Sequence, residues 1–252
     1  MVPGFPLSLF ERIADVVGAD LELDETRSGP APGHDPFADG TADLGWICST
    51  SFVDLATRAT EPSVRLAGVA WVPEDPRSAG KPEYFGDVVV PEDSEIGSFE
   101  DLAGQSIGCN DEVSLSGHYA FRIAAHERGA DPDTFADMQF TGGHHMSLDQ
   151  VVAGELDAAV VDSVVRTNRS ASDPAVAALR VVERLGPWPV QPLVARSDLA
   201  EEVVADVRDA LLASSNEPEM QAELQAASLI GFVPVGPDHY LPIRHALDAV
   251  RT

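Results

Sequence analysis

Ser106-Ile107-Gly108-Cys109-Asn110-Asp111-Glu112-Val113-Ser114-Leu115-Ser116-Gly117-His118 is the stretch on which the reading of the fold turns. Its first four residues have the short apolar character of a buried strand. Tyr119 to Arg128 follows with helical periodicity, placing Tyr119, Ile123 and Ala125 or His126 near one face. The polar run between them is therefore a strand-to-helix turn. Ser114, Ser116 and Gly117 fall where the helix begins, and the N–H groups of a helix start, with hydroxyls beside them, can receive an anion. The plainer reading of the same residues is that Ser114 or Ser116 is only the helix N-cap.

The same alternation runs outward in both directions. Upstream, helices are expected over Leu7 to Val17, Phe52 to Arg58 and Ser98 to Gly104, with a turn of helix at Pro36 to Asp39. Strands are expected at Leu21 to Asp24, Asp43 to Cys48, Val64 to Val72 and Tyr84 to Val90, with a Pro/Gly-rich loop over Ser28 to Asp35. Downstream, strands are expected at Asp137 to Thr141, Asp157 to Val161, Val181 to Arg184 and Val190 to Ala195. Helices are expected at Ser147 to Gly154, Leu199 to Ser214, Glu219 to Leu229 and Pro242 to Val250, with a loop from Gly231 to Tyr240. Alternating strands and helices imply an α/β fold with mostly parallel sheets. Crossings near Val90-Pro91 and Pro189 to Leu193 divide the chain into a discontinuous first lobe, 1–90 and 189–252, and a second lobe, 91–188. Two lobes joined by two crossover strands would leave a ligand cleft able to close by hinge motion. The chain opens on a helix where such a sheet opens on a strand, so the first strand is expected upstream of Met1.

Composition narrows the function. Forty-two acidic residues against 16 Lys and Arg give a formal charge of −26, and Lys81 is the single lysine. Such a surface repels nucleic acid and anionic lipid, so no nucleic-acid partner is expected. Any anion must be held locally, by N–H groups and hydroxyls. Cys48 and Cys109 sit in apolar runs without metal-ligand spacing and read as two buried free thiols. Nothing calls for a metal or cofactor. No stretch approaches 18 apolar residues, so no membrane span is expected. The first residues lack a basic start and a long apolar segment, which makes the expected location cytoplasmic as written. A start further upstream would make it extracytoplasmic or membrane-anchored.

Three ordered segments carry a family likeness: Asn110 to Gly117, Phe140-Thr141-Gly142-Gly143-His144, and Gly154-Glu155-Leu156-Asp157-Ala158-Ala159-Val160-Val161-Asp162-Ser163. With Tyr84-Phe85 before Asp87 to Val90, Leu102-Ala103-Gly104-Gln105, and Gly231-Phe232 with Val235, Asp238 and Tyr240, the chain resembles the phosphate/phosphite/phosphonate-binding family. These are substrate-binding proteins of ABC transporters with the type II periplasmic-binding-protein fold. The resemblance implies that Ser114, Ser116 and Gly117 bind oxyanion oxygens, with Leu115 where the family often has Thr. It places the family's histidine on His144, with His145 replacing the usual Asp, and the family's acidic residue on Asp162. Tyr84 falls at an aromatic lining position, and Trp46 and Phe52 resemble the aromatic wall of the first lobe. The plainer alternatives are that His144 and Asp162 cap helices and that the three aromatic residues are ordinary core.

The chemistry of this set is coherent. Ser hydroxyls, helix N–H groups and His144 donate to a phosphonate or protonated phosphate, while Asp162 accepts from a protonated oxygen or an amine. A carboxylate in an anion site selects against fully ionised species. Tyr84, Trp46 and Phe52 would receive an apolar or cationic tail. The resulting expectation is a substrate-binding protein that captures a small phosphorus oxyanion and hands it to an ABC transporter permease, without catalysis. Two alternatives stay open: a cytoplasmic enzyme on the same fold, lacking any His-Glu-x-x-His motif, and a cytoplasmic ligand-sensing module.

Overall fold

Helix starts and glycine breaks punctuate the chain into elements. The structure is a computed structural model that describes residues 5–18, 29–30, 34–56 and 61–251. In chain order the elements are α1 (Leu7–Val17), β1 (Leu44–Trp46), α2 (Ser49–Ala56), β2 (Val64–Leu66), β3 (Val69–Pro73), β4 (Glu83–Val90), β5 (Ser106–Cys109), α3 (Ala120–Glu127) and β6 (Asp137–Phe140). They continue with α4 (His144–Val152), β7 (Ala158–Asp162), α5 (Ser163–Ser172), α6 (Pro174–Ala177), β8 (Arg180–Pro189), β9 (Leu193–Arg196), α7 (Glu201–Ser214), α8 (Pro218–Ala226), β10 (Leu229–Pro234) and α9 (Leu241–Val250). The strand expected at Leu21 to Asp24 lies outside the described residues, as do the middle of the Pro/Gly-rich loop and the last two residues of the helix expected to end at Arg58.

The chain forms two units, one of residues 1–83 and 189–243, the other of residues 84–188 and 244–252. In the first unit β9 lies between β1 and β2, antiparallel to both, and β10 pairs antiparallel with β3. The strand expected over Val64 to Val72 is broken at Gly68, whose φ of 81° turns the chain between β2 and β3. Residues 229–234, expected as a helix end and a loop, form β10 instead. Gly231 at φ 141° absorbs a register shift there, and the pattern reads as a loop because strand pairing depends on the distant partner β3. Phe5 anchors an aromatic cluster with Trp46, Trp71 and Phe232, at ring centroids of 4.7 to 6.2 Å.

The second unit is built on a five-stranded sheet in the order β6-β5-β7-β4-β8. β5 runs parallel to β6 and β7, and β7 runs antiparallel to β4. This sheet is thus mixed, and the two sheets of the first unit are antiparallel, so the expected mostly parallel pairing is confined to β5, β6 and β7. β4, assigned by the sequence to the end of the first lobe, pairs inside this sheet, with Val88 opposite Val160.

All five residues of β7 are buried. Alternation explains how: Ala158 and Val160 join Phe121 and Ala125 of α3 on one face, while Ala159 and Val161 join Leu148 of α4, Val165 of α5 and Val176 of α6 on the other. A strand covered by helices on both faces reads as a continuous apolar run, as this one does. α6 is absent from the sequence expectations, and α5 enters them only as the helix that Asp162 caps in the plainer alternative, without a range. Ser163–Ser172 is rich in Ser, Thr, Asn and Arg, so its propensity is ordinary and its helix rests on tertiary ties and on a cap at Asp162.

Candidate functional site

The C-terminal ends of β5, β6 and β7 each lead into a helix start, and the site residues lie on these three turns. At the first, Ser114 is the N-cap, and its Oγ accepts from Gly117 N–H at 3.1 Å. Ser114 thus caps the turn, and one of the N–H groups expected to face a ligand is already satisfied. Its hydroxyl proton still has an acceptor to find. Leu115 to Tyr119 form a π-turn, in which Tyr119 N–H reaches Ser114 O at 3.0 Å, before α3 continues. The helix thus begins four residues earlier than its periodicity suggests. Leu115 is fully buried, and its side chain belongs to the core.

The second turn, Thr141 to Gly143, is held by Thr141 N–H to Cys109 O at 2.8 Å and Gly142 N–H to Asn110 O at 2.9 Å. α4 starts at His144, three residues before the expected Ser147. His144 is the first helical residue and not the cap, which is Gly143. Its neighbour His145 is exposed.

At the third turn Asp162 caps α5, with Oδ1 accepting from Val164 N–H at 2.8 Å and Val165 N–H at 3.3 Å. The residue is 1% exposed, so this carboxylate stands almost wholly out of water.

Two contacts bring the turns together. Asp162 N–H donates to His144 Nδ1 at 3.4 Å, which leaves the proton of the neutral ring on Nε2. Desolvation pushes the His144 pKa down from 6.5 to about 3, which favours the neutral ring over the cation. Gly117 closes the other gap: a Cβ built there would meet Asn110 Oδ1 at 2.0 Å and His144 Cε1 at 3.0 Å. Only glycine permits this approach.

Several contributors escaped the sequence reading. Asn110 is 3% exposed, and its Nδ2 donates to Asp111 Oδ2 while its Oδ1 has no hydrogen-bond partner among the described residues. Gly86 faces the first turn, since a Cβ there would lie 2.5 Å from Ser116 O, and it is in register with Asp162. A glycine inside Tyr84 to Val90 is a legible signal of close backbone approach. His118 Nδ1 donates to Glu112 O at 2.7 Å and its ring meets the Phe140 ring edge-on, and burial pushes its pKa down.

The aromatic residues divide. Tyr84 is 1% exposed on β4, two residues before Gly86 and on the same strand face. Trp46 packs edge-on against Phe5 and Phe10, and Phe52 against Tyr240, all within the first unit. Among the described residues no three His, Cys, Asp or Glu side chains are grouped to hold a metal, and no helix is long and apolar enough to cross a membrane.

Comparison with known proteins adds the wider context. The family described as ABC transporter, phosphonate, periplasmic substrate-binding protein matches residues 9–240. A binding protein component of an ABC phosphonate transporter from Pseudomonas aeruginosa superposes with a TM-score of 0.80 at 20% identity, over 97% of this chain and 82% of that one. PhnD1 from Prochlorococcus marinus, in complex with methylphosphonate, gives 0.81 at 15% identity over 99% and 96%. An ancestral arginine-binding protein bound to arginine gives 0.60 at 18% identity over 88% and 86%. The fold is that of the type II periplasmic binding proteins. The matched family is a periplasmic one, so the cytoplasmic expectation drawn from the first residues is not supported.

Proposed function

We propose that this chain, which belongs to the phosphonate substrate-binding protein family of ABC transporters, captures a small phosphorus oxyanion at the three helix starts of its second unit. The observation that carries the reading is the convergence of the turns before α3, α4 and α5 through Gly117, His144 and Asp162. Each helix start contributes donors and a partial positive charge worth about 0.3–1 kcal/mol to an anion. The formal charge of −26 does not defeat this. Charges beyond about 8 Å are largely screened at physiological salt, whereas direct hydrogen bonds at about 3 Å are not.

In this reading Ser114 and Ser116 donate through their hydroxyls, the backbone at the start of the π-turn donates through N–H, and His144 donates through Nε2. Leu115 contributes backbone alone. Asp162 accepts from a protonated oxygen or an amine of the ligand, and so disfavours the fully ionised oxyanion. Tyr84 lines the organic substituent. His145, Trp46 and Phe52 stand further from this assignment, His145 by its exposure and the two rings by their packing. The ligand is bound without turnover and passed to a permease partner, in the periplasmic location of the family.

Calorimetry with phosphate, phosphite, methylphosphonate and an aminophosphonate tests the reading. Saturable binding of methylphosphonate, weakened by replacing Ser116 or His144, is the expected result. Failure of all four ligands to bind overturns it, and binding that survives both replacements unchanged overturns the assignment of the site.

A further inference from the structure

We propose that Asp87 and Arg166 are a positioning pair that sets ligand affinity by holding the first turn of α5 against β4, an inference that rests on the anion site described above. Asp87 is 0% exposed, and its Oδ2 accepts from Arg166 Nε at 2.6 Å. Arg166 lies four residues after Asp162, one helical turn along α5, so the tie acts on the turn that Asp162 caps. A second tie lies two residues away along β4, where Phe85 N–H donates to Ser163 Oγ at 3.2 Å. Between the two ties stands Gly86, in register with Asp162 and against Ser116 O. Residues 85 to 87 therefore hold the third turn in place relative to the first.

The energetics favour a geometric role. Withdrawing a carboxylate and a guanidinium from water is costly, and an apolar pair of equal volume is often as stable. What the ion pair adds is direction. The planar guanidinium fixes the distance and angle between α5 and β4 more tightly than apolar packing or a flexible ammonium does. The first turn of α5 presents Asp162 and the Val164 and Val165 N–H groups, so a small rotation there displaces the polar end of the site.

Arg166→Gln, Arg166→Lys and the double change Asp87→Asn with Arg166→Gln test the pair. Two readings are taken on each: methylphosphonate affinity by calorimetry, and hydrogen exchange at Val164 and Val165 compared with Ile107 in the same sheet. Arg166→Gln is expected to weaken binding about ten- to a hundredfold, the size seen when partners that orient ligating groups are removed. Exchange at Val164 and Val165 should rise with it while Ile107 stays protected, and Arg166→Lys should recover part of both. The double change should cost less than the sum of its parts. Affinity unchanged within about twofold, or equal loss of protection at Ile107, overturns the proposal. If the unaltered protein does not bind methylphosphonate, the anion-site reading fails. The exchange arm then decides alone: retained protection at Val164 and Val165 in Arg166→Gln overturns the pair.

Discussion

The backbone N–H of Asp162 points at Nδ1 of His144, 3.4 Å away, and this one bond decides how the histidine can act. With Nδ1 accepting, a neutral ring carries its proton on Nε2 and donates from there. The Nε2–H can therefore give a directional hydrogen bond without adding a full charge.

The first prediction concerns pH. Burial lowers the His144 pKa from 6.5 to about 3, so between these values the unfolded chain binds a proton that the folded protein does not. Stability from this group is present above about pH 6.5 and is lost as pH falls toward about 3. An NMR titration should show the His144 ring neutral throughout pH 5 to 8. A midpoint near 6.5 would contradict a ring held neutral.

Asp162 should separate capping from charge. Asn is as good an N-cap as Asp, so Asp162→Asn should leave thermal stability nearly unchanged while weakening discrimination between protonated and fully ionised ligands. Asp162→Ala should cost about 1 kcal/mol of stability as well. Calorimetry at two pH values, with a melting curve for each variant, checks both. Equal loss of stability in the two variants would show that the charge itself holds α5.

The serines should differ for a related reason. Ser116→Ala removes a hydroxyl from the site and should cost about 1–3 kcal/mol of affinity, the worth of a hydrogen bond to a charged group. Ser114→Ala should lose affinity too, and in addition about 1 kcal/mol of stability, because its Oγ caps the π-turn through Gly117 N–H. Identical melting curves for the two variants would sink the distinction.

Gly117→Ala should be among the most damaging single changes in the second unit. The added methyl would stand 2.0 Å from Asn110 Oδ1 and 3.0 Å from His144 Cε1, so both must move. Overpacking of this kind costs about 1–3 kcal/mol, and loss of binding should accompany it. A variant that binds and melts like the unaltered protein would mean that the two turns are not in contact.

Cys48 and Cys109 should react slowly with thiol reagents in the native protein. Both are buried, and burial pushes the Cys109 thiol up to about 12, which leaves little thiolate to react. Rapid labelling of either cysteine before unfolding would show an opening near its strand.

The amino-acid sequence by itself determined the α/β class, the strand-to-helix turns at Ser114 and His144, and the family resemblance that the match over residues 9–240 confirms. These were legible because they rest on local patterns: apolar runs of strand length, glycines at turns, and small polar residues at helix starts. Tertiary structure alone decided what spans the chain. It made β10 a strand by pairing it with β3, and it made Ser163–Ser172 a helix by tying it to β4. It set β4 antiparallel to β7, so that Gly86 meets Ser116 O, and it turned Leu115 into the core. It also joined His144 to Asp162, 18 residues apart, and buried the Asp87 carboxylate against Arg166, 79 residues away. The reason is physical. Periodicity and capping act over a few neighbouring residues, whereas burial, register and the partner of a buried charge are fixed only when distant segments pack.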